Sequence, residues 1–172
     1  GPAAAIERRP IGTALPLESE SENGTRISFR TASLTTLVDS PVLSGRHFRR
    51  IPLTPEGPIQ HYLDMAADSD AALAVPPEVI GHYKQLMAEA GALYTARHYR
   101  EYHFLVTLSD KVAHSGLEHH ESSDDRVGER TMIEDDDRMV AAGLLPHEMT
   151  HSWHGKYRRP RGLATPDFQK PM

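Results

Sequence analysis

Two histidines and one glutamate stand within five consecutive residues, His147-Glu148-Met149-Thr150-His151. If this segment is helical, the two imidazoles lie one turn apart on one face, because residues i and i+4 are neighbours on a helix. Both rings can then bind one Zn²⁺ ion, and Glu148 is placed to take a proton from a metal-bound water. This is the HExxH pattern of zinc hydrolases. The alternative is a helix with two surface histidines and no metal.

The composition narrows the kinds of partner and ligand. The 172 residues suffice for one domain or two small ones. The net charge of −5 gives no basic surface, so we expect no nucleic-acid partner. No apolar run approaches the roughly 20 residues of a membrane span, so we expect no membrane partner either. Because the chain has no cysteine, histidine and carboxylate side chains remain as the available zinc ligands.

The first 75 residues contain several short stretches with strand-like patterns. Residues 1–24 are rich in Pro, Ala, Ser and Glu without a sustained period, which is typical of extended or mobile chain. From residue 25 onward Ile27 and Phe29 alternate with polar residues, a pattern that predicts a strand. Further strand candidates are residues 34–38, 47–53 and 61–67. We therefore expect a β-rich N-terminal region over residues 1–75.

The pattern changes at Pro76-Pro77. From residue 78 to about residue 96 the apolar residues recur at helical spacing, and Pro77 suits the first turn of a helix. Residues 101–109 then alternate between polar and apolar side chains, which predicts a strand. The chain is therefore expected to have an α+β fold.

The helix that carries the motif is predicted from its flanks. Residues 122–137 are strongly polar and predict a loop, and the acidic run 134–137 suits a solvated helix start better than a Ca²⁺ loop. Residues 138–145 are apolar enough to lead into a buried helix. Because a proline inside a helix costs about 3 kcal/mol, Pro146 predicts a helix that starts near Leu144 or is kinked there. The residues expected to end it are Pro160 and Gly162.

Two specific motifs carry a resemblance to a known family. They are residues 147–153, with Lys156, Arg159-Pro160 and residues 166–168 after them, and the upstream stretch Gly116-Leu117-Glu118-His119. Both resemble the glycyl aminopeptidases, gluzincin zinc metallopeptidases that often carry a PDZ domain. Residues 34–41 and 99–110 are also similar to the family. Together the similar stretches cover most of residues 30–168.

The resemblance implies roles for the residues of both motifs. His147 and His151 would be zinc ligands and Glu148 the general base. The residues Gly116, Leu117, Glu118 and His119 would form an edge strand and a loop that bind the peptide substrate. In this scheme Glu118 holds the free α-amino group of the peptide, because a carboxylate distinguishes an ammonium from an amide by a charge-assisted hydrogen bond. Without the downstream motif, the alternative for residues 118–121 is a polar loop.

The family also has a third zinc ligand, a glutamate on a later helix, and a transition-state tyrosine further on. No matching segment occurs before Met172. His154 does not substitute well, because seven residues of helix span about 10.5 Å, and Gly155 and Tyr157 do not supply the metzincin continuation. We therefore expect residues 76–172 to form the first half of a thermolysin-like zincin catalytic domain. A second chain or domain would supply the missing glutamate, and this chain alone would show little or no turnover.

Three functions are consistent with the sequence. The first is a zinc aminopeptidase that hydrolyses N-terminal residues of peptides, of which this chain is a part. The second is a non-catalytic binding or assembly module that retains a zincin half-fold. The third is a structural fragment whose metal site is empty. Zinc content discriminates among them, because two protein ligands alone bind zinc weakly compared with the three of a catalytic site.

Overall fold

The N-terminal part of the chain forms two small antiparallel strand pairs and a short helix. The computed structural model describes residues 10–21, 26–164, 167 and 169. Strand β1 (Ile11–Gly12) pairs with β4 (Leu43–Ser44), and β2 (Leu17–Glu20) pairs with β3 (Ile27–Phe29). Helix α1 (Leu34–Val38) lies between β3 and β4. Strand β3 confirms the strand predicted after residue 25, whereas residues 1–9 and 22–25 lie outside the described residues.

Helix α1 shows that the strand predicted for residues 34–38 is wrong. The Ser33 side chain accepts a hydrogen bond from the Thr36 backbone N–H at 3.0 Å, which caps the first turn of the helix. None of the five residues of α1 is buried, so the β-branched side chains among them would gain no stabilisation by packing in a sheet. The local cap therefore outweighs the strand propensity.

A mixed five-stranded sheet follows. Its strands are β5 (His47–Pro52), β6 (Gln60–Ala67), β7 (Glu101–Leu108), β8 (Ser115–Glu118) and β9 (Ser122–Val127). The spatial order is β5-β6-β7-β9-β8. The inner pairs β6–β7 and β7–β9 are parallel, and the outer pairs β5–β6 and β8–β9 are antiparallel. The strands predicted at 47–53, 61–67 and 101–109 are confirmed, and β8 forms one edge of the sheet.

Two long helices share one hydrophobic core with this sheet. Helix α2 (Pro77–Tyr94) confirms the predicted helix and begins with its proline in the first turn. Helix α3 (Asp135–Trp153) carries the motif. Short 3₁₀ turns lie at Ala71–Leu73 and Arg161–Leu163. The core contains alternate residues of β7 with residues of α2 and α3, among them Phe104, Val106, Tyr83, Met87, Leu145 and Met149.

Helix α3 corrects the predicted bounds of the motif helix. It begins at Asp135 with three acidic residues in its first turn, so the acidic run is a helix start as predicted. Pro146 therefore lies inside the helix, and the helix ends at Trp153, before Pro160 and Gly162. The Thr150 hydroxyl donates to the Pro146 carbonyl at 2.8 Å, one turn back.

Strand β9 corrects the loop predicted for residues 122–137. Ser122, Ser123 and Asp125 are completely buried although all three are polar. The Ser123 hydroxyl donates to Asp125 Oδ2 at 2.6 Å, a local hydrogen bond that the polar composition does not reveal. It compensates the burial only in part, because Ser122 Oγ and Asp125 Oδ1 are buried without a hydrogen-bond partner among the described residues.

The sheet contains strands from both sides of the boundary predicted at residue 75. Strand β6 pairs with β7 along eight residues, from Gln60 opposite Glu101 to Ala67 opposite Leu108. The division into regions 1–75 and 76–172 stays a prediction.

Among the helices of the described residues, none combines the length and the apolar character that a membrane span requires.

Candidate metal centre

Helix α3 brings the two motif histidines together. Their Nε2 atoms are 3.2 Å apart. Two nitrogens that each lie about 2.05 Å from a tetrahedral Zn²⁺ ion are separated by about 3.3 Å, so the observed pair fits this metal. Glu148 completes a group whose potential ligand atoms all lie within 4.8 Å of one another. Within the described part of the chain, no other cluster of three metal-binding side chains is present.

The end of α3 fixes the tautomer of one of these histidines. His151 Nδ1 lies 3.0 Å from the His154 carbonyl oxygen. A carbonyl only accepts hydrogen bonds, so the proton of neutral His151 is on Nδ1 and the lone pair is on Nε2. This is the arrangement in which a backbone carbonyl orients a metal-binding imidazole. Gly155, at φ +121°, makes the turn that places the carbonyl there.

Glu148 lies on the buried side of α3, against strand β8. Only 6 % of its surface is exposed. A Cβ atom built on Gly116 would lie 2.2 Å from Glu148 Oε1 and 2.7 Å from Leu144 Cδ1. The carboxylate therefore occupies the space that a side chain at position 116 would fill. This contact joins the two motifs that the sequence singled out separately.

Strand β8 directs Glu118 towards the same region. Alternate residues of a strand share a face, so Glu118 lies on the face of Gly116 that meets Glu148. Leu117 lies on the opposite face and is 52 % exposed. The predicted edge strand and following loop are thus observed for residues 116–119, but the substrate-binding roles of these residues stay predictions. His119 is not part of the metal group, and its Nδ1 lies 3.3 Å from Asp39 Oδ1.

Asp125 is a buried carboxyl that the sequence prediction missed. It pairs with Gly116 across the β8–β9 ladder, beside Glu148. Burial raises the pKa of Asp125 to about 7, the hydrogen bond from Ser123 lowers it, and the nearby Glu148 charge raises it. Little in the sequence indicates that Asp125 is buried, since Ser122–Val127 has the polar composition of a loop. Asp125 is therefore a second buried carboxyl close enough to Glu148 to interact with its charge.

A cavity of about 520 Å³ lies beside the turn that follows β8. Its lining includes Arg30, Arg100, Asp39, His120 and Tyr157, but neither motif histidine. The cavity is therefore separate from the metal group.

Comparison with known proteins agrees with this geometry. The model of the M61 glycyl aminopeptidase family matches residues 140–172. These residues include most of α3 and both motif histidines. The predicted resemblance to glycyl aminopeptidases is therefore confirmed, and the match lies outside the upstream stretch 116–119.

The fold is similar to a solved structure. An aminopeptidase N family protein from Idiomarina loihiensis shares 22 % sequence identity with this chain at a TM-score of 0.73. The alignment covers 98 % of this chain and 28 % of that protein, so this chain spans less than a third of its length. At this identity the likeness shows the fold alone. No curated protein matches the chain.

Proposed function

We propose that this chain carries two parts of a zinc-dependent aminopeptidase that hydrolyses N-terminal residues of peptides. These parts are the metal-binding helix, α3, and the strand that binds the substrate, β8, called the substrate strand below. The family match over residues 140–172 suggests peptidase function. The observation that carries the proposal is the 3.2 Å separation of the His147 and His151 Nε2 atoms beside the buried Glu148. The alternative of a non-catalytic module has no observation in its favour.

In this proposal, the histidines of α3 bind the metal and its glutamate transfers the proton. His147 and His151 would hold the zinc, which would supply a lowered pKa for a bound water, towards about 7, and polarisation of a carbonyl. Glu148 takes the proton of the attacking water on its carboxylate and passes it to the leaving amine. Burial between α3 and Gly116 keeps this carboxylate close to the histidines and out of bulk water.

The residues of β8 bind the peptide. The free edge of the strand offers backbone groups to an extended peptide. Glu118 accepts a charge-assisted hydrogen bond from the α-ammonium of the first residue, which restricts the enzyme to free N-termini. The third zinc ligand that the family resemblance implies, a glutamate, would come from a second chain or domain. Among the described residues the metal group contains His147, Glu148 and His151.

The proposal is tested by zinc titration calorimetry on the parent chain and four variants. His147→Ala and His151→Ala should each abolish binding, whereas Glu148→Gln should retain it because the base is not a ligand. His82→Ala is the control, because this exposed histidine lies on α2 outside the metal group. Unchanged affinity in both histidine variants of the motif would place the metal elsewhere and contradict the proposal.

A further inference from the structure

One carboxylate connects three distant segments of the chain close to the substrate strand. Asp39 follows α1 directly and is its C-cap residue. Its Oδ1 atom lies 3.3 Å from His119 Nδ1 and 3.1 Å from Lys156 Nζ. Its Oδ2 atom accepts from the His120 backbone N–H at 2.8 Å and lies 2.7 Å from His120 Nδ1. Asp39 therefore joins the end of α1, the turn after β8 and the turn after α3.

The contacts of Asp39 with His119 and Lys156 are largely sheltered from solvent, whereas the His120 side chain is 43 % exposed. The Asp39 side chain is 16 % exposed, and those of Lys156 and His119 are 19 % and 10 % exposed. Burial alone would raise the pKa of Asp39, but the hydrogen bonds from His119, His120 and Lys156 lower it well below its usual value. Asp39 is therefore a carboxylate at neutral pH. Charge-assisted hydrogen bonds to such a group are short and directional, and they fix the groups that donate them.

The turn after β8 is also held from the side of α3. The Ser152 hydroxyl donates to the His120 carbonyl at 2.5 Å. Ser152 is the neighbour of His151 in the sequence, so the same turn of α3 presents both side chains. Both backbone polar groups of His120 are thus occupied, the N–H by Asp39 and the carbonyl by Ser152. This residue follows Glu118 by only two positions.

We propose that Asp39 is a positioning residue for recognition of the peptide amino group. It holds residues 119–121 against the end of the motif helix and so keeps the Glu118 carboxylate at the edge of the metal site. Asp39 does not touch the two motif histidines, so its loss should leave metal binding intact. The inference rests on the proposed function, because Glu118 acts on a free amine only in an aminopeptidase.

The test compares two probes that differ only at the amine, glycine hydroxamate and N-acetylglycine hydroxamate. Calorimetry measures both dissociation constants with the zinc-loaded chain. The parent should prefer the free amine, and Asp39→Asn should reduce this preference by about tenfold or more, as the loss of charge-assisted bonds implies. Zinc affinity should stay within about twofold, since the metal ligands are unchanged. Asp39→Glu, which keeps the charge, should restore part of the preference.

Two further variants separate positioning from folding. Asp70→Asn is the control for loss of a carboxylate charge at an exposed site, because Asp70 Oδ1 accepts from His47 Nδ1 at 2.8 Å and its side chain is 86 % exposed. It should behave as the parent. Lys156→Met removes one contact of Asp39 and leaves the other three. It should cause a smaller loss of preference than Asp39→Asn, and it serves as the test if Asp39→Asn does not fold.

The outcomes are distinct. If the parent prefers the free amine and neither Asp39→Asn nor Lys156→Met changes that preference, Asp39 has no positioning role. If the zinc-loaded parent shows no preference, the aminopeptidase proposal itself fails. Hydrogen exchange of the His119 and His120 amides then decides only whether Asp39 holds the turn after β8. Faster exchange in Asp39→Asn than in Asp70→Asn supports it, and equal exchange refutes it.

Discussion

Gly116 of β8 lies directly against Glu148 and Leu144 of α3. In Gly116→Ala the new methyl group would lie 2.2 Å from Glu148 Oε1. The ends of two flexible side chains, Glu148 and Leu144, must then move, so we expect the fold to survive at a cost of about 1–3 kcal/mol. Zinc binding should stay, because the histidine pair is untouched. Urea unfolding and zinc titration measure these two effects.

The control for this substitution is Gly81→Ala. Gly81 lies in α2 with nothing within 4 Å of a Cβ built on it. Alanine there should stabilise the protein by about 1 kcal/mol through helix propensity alone. Equal effects of the two substitutions on stability would show that Glu148 does not rest against Gly116.

His61 should make stability depend on pH. Its Nδ1 lies 2.9 Å from the Thr54 hydroxyl and its Nε2 lies 3.0 Å from the Tyr99 hydroxyl. Burial, and then the positive charge of Arg97, lowers the pKa of His61 from 6.5 to about 4. The unfolded chain binds this proton more readily, so stability falls as pH decreases from about 6.5 to about 4, by up to about 3 kcal/mol.

Unfolding in urea at several pH values measures this dependence. His61→Gln cannot bind the proton but can keep one of the two hydrogen bonds. The difference in free energy of unfolding between parent and variant should therefore shrink as pH falls through this range. A difference that is constant with pH would contradict the assignment.

Among the elements, α3 contains a proline that disfavours the helical conformation directly before a motif histidine. Pro146 lies inside the helix and precedes His147. An interior proline lacks the N–H that would bond to the preceding turn. Pro146→Ala should therefore raise the free energy of unfolding by about 1–3 kcal/mol. Circular dichroism during urea unfolding measures the change.

Pro77 provides the comparison, because it stands in the first turn of α2. Proline is favoured there, so Pro77→Ala should leave stability unchanged or lower it by up to about 1 kcal/mol. If Pro146→Ala also destabilised the protein, the local shape of the helix at Pro146 would be required for its packing against α2.

Elements with a clear period were predictable from the sequence, and elements governed by specific hydrogen bonds were not. Helix α2 buries one face, and strand β7 alternates apolar with more polar residues although it is buried on both faces, so the apolar spacing predicts both elements. Strand β9 buries Ser122, Ser123 and Asp125, which its composition does not show. For α1 the capping bond from Thr36 to Ser33 decides the conformation.

At the scale of the whole molecule, the central sheet is built from both regions predicted from the sequence. A fragment of residues 76–172 would lose β6, the eight-residue parallel partner of β7. It would also lose the fully buried Leu63 and Met65. We expect no cooperative unfolding of this fragment. The edge of β7 that pairs with β6 would have no partner strand, and the hydrophobic core would be incomplete. Calorimetry and proton NMR of the fragment test this, and a sharp transition would favour the predicted division at residue 75.

The candidate site was predictable only where it is local in sequence. The His147–His151 pair follows from helix geometry, so its spacing predicts it. The contact of Glu148 with Gly116 and the contacts of Asp39 with His120 join residues 32 to 81 positions apart. Such contacts depend on strand order and on how α3 crosses the sheet. Neither the strand order nor the crossing of α3 can be predicted from the local residue patterns of one sequence.

The last residue of the motif helix gives the protein an intrinsic optical probe. Trp153 is the chain's single tryptophan, and it is buried. Its indole stacks on Tyr94 with ring centroids 4.4 Å apart, and its Nε1 donates to the Ala96 carbonyl at 2.7 Å. Fraying of the last turn of α3 would expose the indole to water and shift its emission to longer wavelength. Tryptophan fluorescence of this protein therefore reports the order of the turn that contains His151.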